Sequence, residues 1–155
     1  MRRVKLLQDD RINCLENYLT ELYVLFNQTQ HYHWNVVGSS FKDMHEFFEQ
    51  QYQQLYEMID EIAERIRAMG SFVDVSVLTL AKNSSLCQSK LTYPVDYTEM
   101  LKSILLGHIE LSKLAKDIVQ PCDACGDYAT KHIMSEKTIF HEKSIWMINS
   151  LLTKL

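Results

Sequence analysis

Five side chains in the first half of the chain have the types and spacing to hold a redox metal: His33, His45, Glu49, Asp60 and Glu64. Imidazoles combined with carboxylates suit iron, manganese or zinc. At about 100° per residue, His45, Glu49, Asp60 and Glu64 fall on one stripe of a helix, at the edge of its apolar seam. Residues 45 and 60 are nevertheless separated by about 22 Å along the axis, so one ion cannot touch both ends. Two readings remain. Asp60 and Glu64 could be part of a solvated face paired with Arg65 or Arg67. Alternatively, a second copy of the helix completes the site. The residue numbers of His45 and Glu64 add to the same value as those of Glu49 and Asp60. Antiparallel pairing about a two-fold axis near residues 54 and 55 would therefore bring His45 and Glu49 of one copy to Asp60 and Glu64 of the other, twice over. Isologous two-fold contacts are the commonest mode of self-association. His33, at the end of the preceding helix, is a further candidate ligand, and Trp34 would place an oxidisable ring beside it.

The remaining polar residues have plainer readings. His108 sits on an apolar seam and is expected to be a hydrogen-bonded core residue. His31 is two residues from His33 and so faces the other way, while His132 and His141 read as surface or packing residues. The cysteines are Cys14, Cys87, Cys122 and Cys125; in a reducing compartment they are free thiols rather than a disulfide framework. Cys122 and Cys125 have C-x-x-C spacing, but a structural zinc site wants two more ligands, and the chain has no second such pair.

Helices must position these residues. In the first, Ile12, Leu15, Leu19, Leu22 and Phe26 recur every three to four residues after a cap at Asp9 or Asp10, and Gly38 marks its end. The second is expected from about Phe41 to Met69, opened by a capping box of Ser40 and Asp43. Its seam is Phe41, His45, Phe48, Tyr52, Leu55, Ile59, Ile62, Ile66 and Met69, the alternating 4-3 spacing of bundle helices. Residues 71–89 form a long connection in which Val73 to Leu80 predict a short helix. Pro94 and a capping box of Asp96 with Glu99 open the third long helix, whose inner face carries Leu101, Ile104, Leu105, His108, Leu111, Ala115 and Ile118. Pro121 is expected to end it, leaving residues 122–126 as a loop. Asp127 then caps the last helix, with Ile133, Phe140, Met147 and Leu151 facing inward.

The totals agree with a helical domain. The 155 residues can bury a substantial core, 46% of them are apolar, and only four Gly and two Pro interrupt the chain. A net charge of −4 argues against a dedicated nucleic-acid binder. No apolar run is long enough to span a membrane, and the start Met1-Arg2-Arg3-Val4-Lys5 turns polar too soon for a signal-peptide core, so a cytoplasmic protein is expected.

The run HWNVVGSSFKDMHEFFEQQYQQLYEMIDEIAERIRAMG resembles the Dps family of small ferritin-like proteins, as do GDYAT at the start of the last helix and HEKSIWMINSLL at its close. The resemblance implies an all-α, ferritin-like four-helix bundle with a short extra helix between helices 2 and 3, as one domain over residues 1–155. It implies a hollow homododecamer that oxidises Fe(II), preferably with hydrogen peroxide, and stores the ferric mineral. Cell and DNA would thereby be protected from oxidative damage. Metal would be held by His33, His45 and Glu49 of one subunit with Asp60 and Glu64 of its neighbour, and Trp34 would lie close by. Position 49 is Asp in many members; Glu keeps the charge on a longer arm. Where the family often has an acid two residues after the Thr of GDxxT, at an iron-entry pore, this chain has His132, leaving Asp123 and Asp127 as candidate pore acids. DNA-binding members often carry a Lys-rich tail. Here only Arg2, Arg3 and Lys5 form a small basic cluster, so weak or no DNA binding is expected at neutral pH, apart from multivalency. The alternative is a nucleoid-associated DNA-binding protein with little ferroxidase activity. A classical di-iron ferritin needs Glu-x-x-His on inward faces, a motif absent from this sequence.

Overall fold

The computed structural model describes residues 2–86 and 93–153, with side chains from residue 10 onward. Among them are five helices: α1 (Arg2–Asn35), α2 (Phe41–Ala68), α3 (Val77–Asn83), α4 (Tyr97–Cys125) and α5 (Tyr128–Leu152), and no strand. The side chains of Arg2, Arg3, Lys5 and Asp9, and all of Cys87, lie outside the described residues.

Side-chain pairs fix the topology. α1 and α2 join through a short turn at Gly38 and are antiparallel. Leu25 meets Gly107, and Gln28 bonds Ser103, so α1 and α4 also run antiparallel. α2 and α4 are therefore parallel, and the long connection carrying α3 is a crossover. Arg65 bonds Asp127 and Thr130, Lys137 pairs with Glu61 and Ser144 with Gln51, which sets α5 antiparallel to α2. This is a four-helix bundle with one crossover. At Gly107 α4 comes close to α1: an added Cβ would sit 2.6 Å from Leu25 Cδ1. The crossover is tied down by Glu21, 2% exposed, whose carboxylate accepts from Ser84 Oγ, Ser85 N, Ser85 Oγ and Leu86 N at 2.6–3.2 Å.

The seams of α1, α2 and α4 bury as their spacing predicts, with Leu15, Leu22, Phe48, Leu55, Ile62, Ile66, Leu101, Ile104 and Leu111 fully enclosed. α5 differs. Its buried face is Thr130, Met134, Lys137, His141, Ser144 and Ile148; Ile133, Phe140 and Met147 flank it, and Leu151 is 42% exposed. Polar groups can occupy this face because each finds a partner. Tyr18 Oη lies 2.8 Å from His141 Nε2, and His141 Nδ1 lies 2.9 Å from His108 Nδ1. Burial holds His108 at a pKa of about 3 and, with neighbouring His108 and Lys137, holds His141 well below the ordinary value. The pair is neutral, so one Nδ1 donates to the other. His108 is thus a hydrogen-bonded core residue, although its Nε2 is buried without a partner.

Three expectations about helix ends are corrected. α1 extends to Arg2, so neither Asp9 nor Asp10 caps it. Ser40 precedes α2 without capping it through its side chain, because its backbone is not extended as a side-chain cap requires (φ −94°, ψ 16°). α4 runs through Pro121 to Cys125, since a proline in the last turns forfeits one bond while Cys122, fully buried, gains packing; Gly126 (φ 78°) closes it instead. Asp127 does cap α5, accepting from Thr130 N, but it is also clamped by Arg11 and Arg65, each at 2.7 Å. Burial opposes its ionisation; the Thr130 bonds, then Arg65 and Arg11, more than offset this and hold the carboxyl below its usual range. Asp127 is therefore a structural hub and not a free pore acid. Asp123 is exposed and paired with Lys131.

Candidate metal centre

The last turn of α1 faces the first turns of α2, and this juxtaposition brings His33 to His45. The rings stack with centroids 3.8 Å apart and 21° between planes. Each Nδ1 bonds the other residue's carbonyl, His33 to His45 O at 3.0 Å and His45 to His33 O at 2.8 Å. A carbonyl only accepts, so both Nδ1 atoms carry the proton and both Nε2 atoms present a lone pair. Fixing one ring nitrogen on a carbonyl is how proteins orient a ligating histidine. The bond from His45 also satisfies one of the carbonyls left open at the C-terminus of α1.

Glu49 lies one turn beyond His45 on α2, half-buried, with Gln53 Nε2 3.4 Å from its Oε1. Phe41 stacks on His45 (5.0 Å, 30°), and Tyr52 meets the edge of His33 (5.2 Å). Both rings belong to the seam of α2. Their contact with the imidazoles comes from the α1–α2 pairing, which spacing along one helix does not reveal. Trp34 is 64% exposed, and the edge of Tyr52 meets the His33 ring.

Asp60 and Glu64 lie at the other end of α2 and are exposed. Asp60 borders a cavity of about 140 Å³ lined by Tyr23, Tyr56, Ile59, Ala63, Val73 and Val75. Neither carboxylate is occupied by Arg65, which bonds Asp127 and Thr130, nor by Arg67, which bonds Ser71 O and lies over the Phe72 ring. One chain thus gathers His33, His45 and Glu49 at one end of α2 and Asp60 and Glu64 at the other. Among the described residues of the chain, no three His, Cys, Asp or Glu side chains form a complete metal-holding group. That includes Cys122, Cys125 and His132; Cys14, Cys122 and Cys125 are free thiols. Tyr56, which lines the cavity bordered by Asp60, is 63% exposed.

The chain folds as a four-helix bundle with one crossover, and residues 12–155 match the ferritin-like domain family. An uncharacterised low-temperature-induced protein of Nostoc sp. is 31% identical over 91% of this chain and 79% of its own length. The DNA protection during starvation protein of Helicobacter pylori is 28% identical over 89% of this chain and 95% of its own. The crystal structure of a Dps protein from Vibrio cholerae O1, described as a member of the ferritin-like diiron-carboxylate proteins, superposes with a TM-score of 0.89 at 29% identity, covering 96% of this chain and 92% of that one. The chain belongs to the ferritin-like family and, within it, to the Dps family. Among the described residues no helix is long and apolar enough to cross a membrane.

Proposed function

We propose that this protein is a ferroxidase of the cytoplasm, one domain per chain. It oxidises Fe(II), preferably with hydrogen peroxide, at sites shared between two-fold-related subunits. The ferric product is stored as mineral inside a hollow dodecamer, which spares the cell and its DNA from radical damage. His33, His45 and Glu49 bind the ferrous substrate from one side; Asp60 and Glu64 of the partner subunit complete the site.

The observation that carries this reading is the His33–His45 pair. Two imidazoles are held by reciprocal backbone bonds with both Nε2 atoms free, while the carboxylates that would complete the set lie about 22 Å further along the same helix. The exposed Tyr56 ring beside Asp60 gives a second subunit apolar surface to cover on that face. The donor set suits the reaction. Imidazole nitrogen tolerates Fe(II), carboxylates favour the harder Fe(III) product, and a site between subunits can release that product to a mineral. Each peroxide takes two electrons and leaves as water, so no hydroxyl radical forms. The relatives named for DNA protection during starvation fit a protective role.

The test is anaerobic Fe(II) loading followed by peroxide, on wild type and on the Asp60→Ala/Glu64→Ala variant. Fast oxidation is expected only in wild type. Equal rates in both would overturn the site, and a monomer by light scattering would overturn its intersubunit geometry.

A further inference from the structure

The two ends of α2 are joined within each chain by a continuous file of aromatic rings. It begins at the imidazole stack, where Tyr52 meets His33 at 5.2 Å. Tyr52 meets Phe26 of α1 at 6.3 Å, and Phe26 meets Tyr56 at 6.1 Å and Tyr23 at 6.4 Å. Tyr23 and Tyr56 line the cavity bordered by Asp60. Every step is at aromatic contact distance. Tyr23 and Phe26 pack against the core, Tyr52 is half-buried and Tyr56 is 63% exposed, so the file runs from the edge of the core to the surface.

We propose that Tyr52, Phe26, Tyr56 and Tyr23 form an electron relay linking the two metal sites of a dimer. The inference rests on the two-fold reading above, in which the His33 end and the Asp60 end of one chain belong to different sites. The relay solves a chemical problem. Peroxide needs two electrons, and a site holding a single Fe(II) supplies one, which would release a hydroxyl radical. With the relay, Tyr52 gives the second electron and its phenolic proton at the moment the O–O bond breaks. Tyr56 or Tyr23 refills Tyr52, and Fe(II) at the far site refills the relay, the proton returning to the phenol. The balance is two Fe(II), one peroxide and two protons giving two Fe(III) and two waters. Two ions in separate sites thus act as one two-electron donor. Phe26 is a bridge and is not itself oxidised.

The experiment loads one Fe(II) per subunit anaerobically, adds half an equivalent of peroxide, and reads hydroxyl-radical spin adducts and freeze-quenched EPR. The proteins are wild type, Tyr52→Phe/Tyr56→Phe, and Tyr128→Phe as a control that removes an exposed tyrosine outside the file. Both phenylalanine replacements keep the rings, and Fe(II) stoichiometry by titration verifies loading. The expected result is background adduct and a transient tyrosyl signal in wild type and control. In the double variant the tyrosyl signal is lost and the adduct rises several-fold. Equal adduct yields in wild type and double variant, with no tyrosyl signal in either, would overturn the relay. If wild type oxidises iron no faster than Asp60→Ala/Glu64→Ala, the metal-site reading fails instead, and the relay falls with it.

Discussion

The neutral histidines in the core make stability depend on pH in a way the structure sets. Unfolded, His108 and His141 take a proton near pH 6.5; folded, His108 does so only at about 3, and His141 is likewise held well below the ordinary value. Their contribution is fully present above pH 6.5. It is lost as pH falls from there toward the folded values, because the unfolded chain binds protons that the native core refuses. Below pH 6.5 each histidine lowers stability by about 1.4 kcal/mol per pH unit, and little is lost above it, so the pair removes about 3 kcal/mol between pH 7.5 and 5.5. In His108→Leu the unpartnered Nε2 disappears and only His141 remains to drive the effect, so the loss over the same interval is expected to halve to about 1.4 kcal/mol. The assay is urea unfolding of metal-free protein by circular dichroism at pH 7.5, 6.5 and 5.5, at one protomer concentration throughout, since assembly contributes to apparent stability. A wild-type stability flat over this range, or an undiminished drop in His108→Leu, would refute the reasoning.

Other consequences are as direct. Glu21→Ala strands the Ser85 and Leu86 amides and is expected to destabilise by about 3 kcal/mol; residues 84–86 should exchange amide hydrogens faster and be cut sooner by protease. Asp127→Ala removes the α5 cap and leaves Arg11 and Arg65 without their carboxylate, for a loss of about 3 kcal/mol in thermal unfolding at pH 7. Because the native pKa of Asp127 is depressed, its contribution is present above the ordinary carboxylate value of 3.8. The gap between variant and wild type should therefore narrow as pH falls below that value.

The bundle was legible in the sequence wherever a helix buries an apolar stripe. The 4-3 steps of α2 placed Phe48, Leu55, Ile59, Ile62 and Ile66 correctly, and the turn residues around Gly38 and Asp127 marked real boundaries. α5 misled because its core face carries His141, Lys137, Ser144 and Thr130, each satisfied by a partner on another helix. Counting apolar residues therefore selected the flanks, Ile133, Phe140 and Met147. Pro121 misled because the buried Cys122 holds the helix together beyond it. His45, Glu49, Asp60 and Glu64 could be grouped as candidates because they share one helix and one stripe. The stacking of His33 on His45, and the rings of Phe41 and Tyr52 around them, arise between helices, and no single-helix periodicity encodes them.

The proposal that the site is shared between two chains can be tested by complementation. Subunits carrying His33→Ala/His45→Ala are mixed with subunits carrying Asp60→Ala/Glu64→Ala, unfolded together and reassembled. Neither variant alone is expected to oxidise iron rapidly with peroxide. A mixed dimer has one site in which both defects meet and one site with neither. Random equal mixing should therefore restore activity, up to about a quarter of wild type, since half the dimers are mixed and each holds one intact site. Reassembled mixtures no more active than the separate variants would contradict a site built from two subunits.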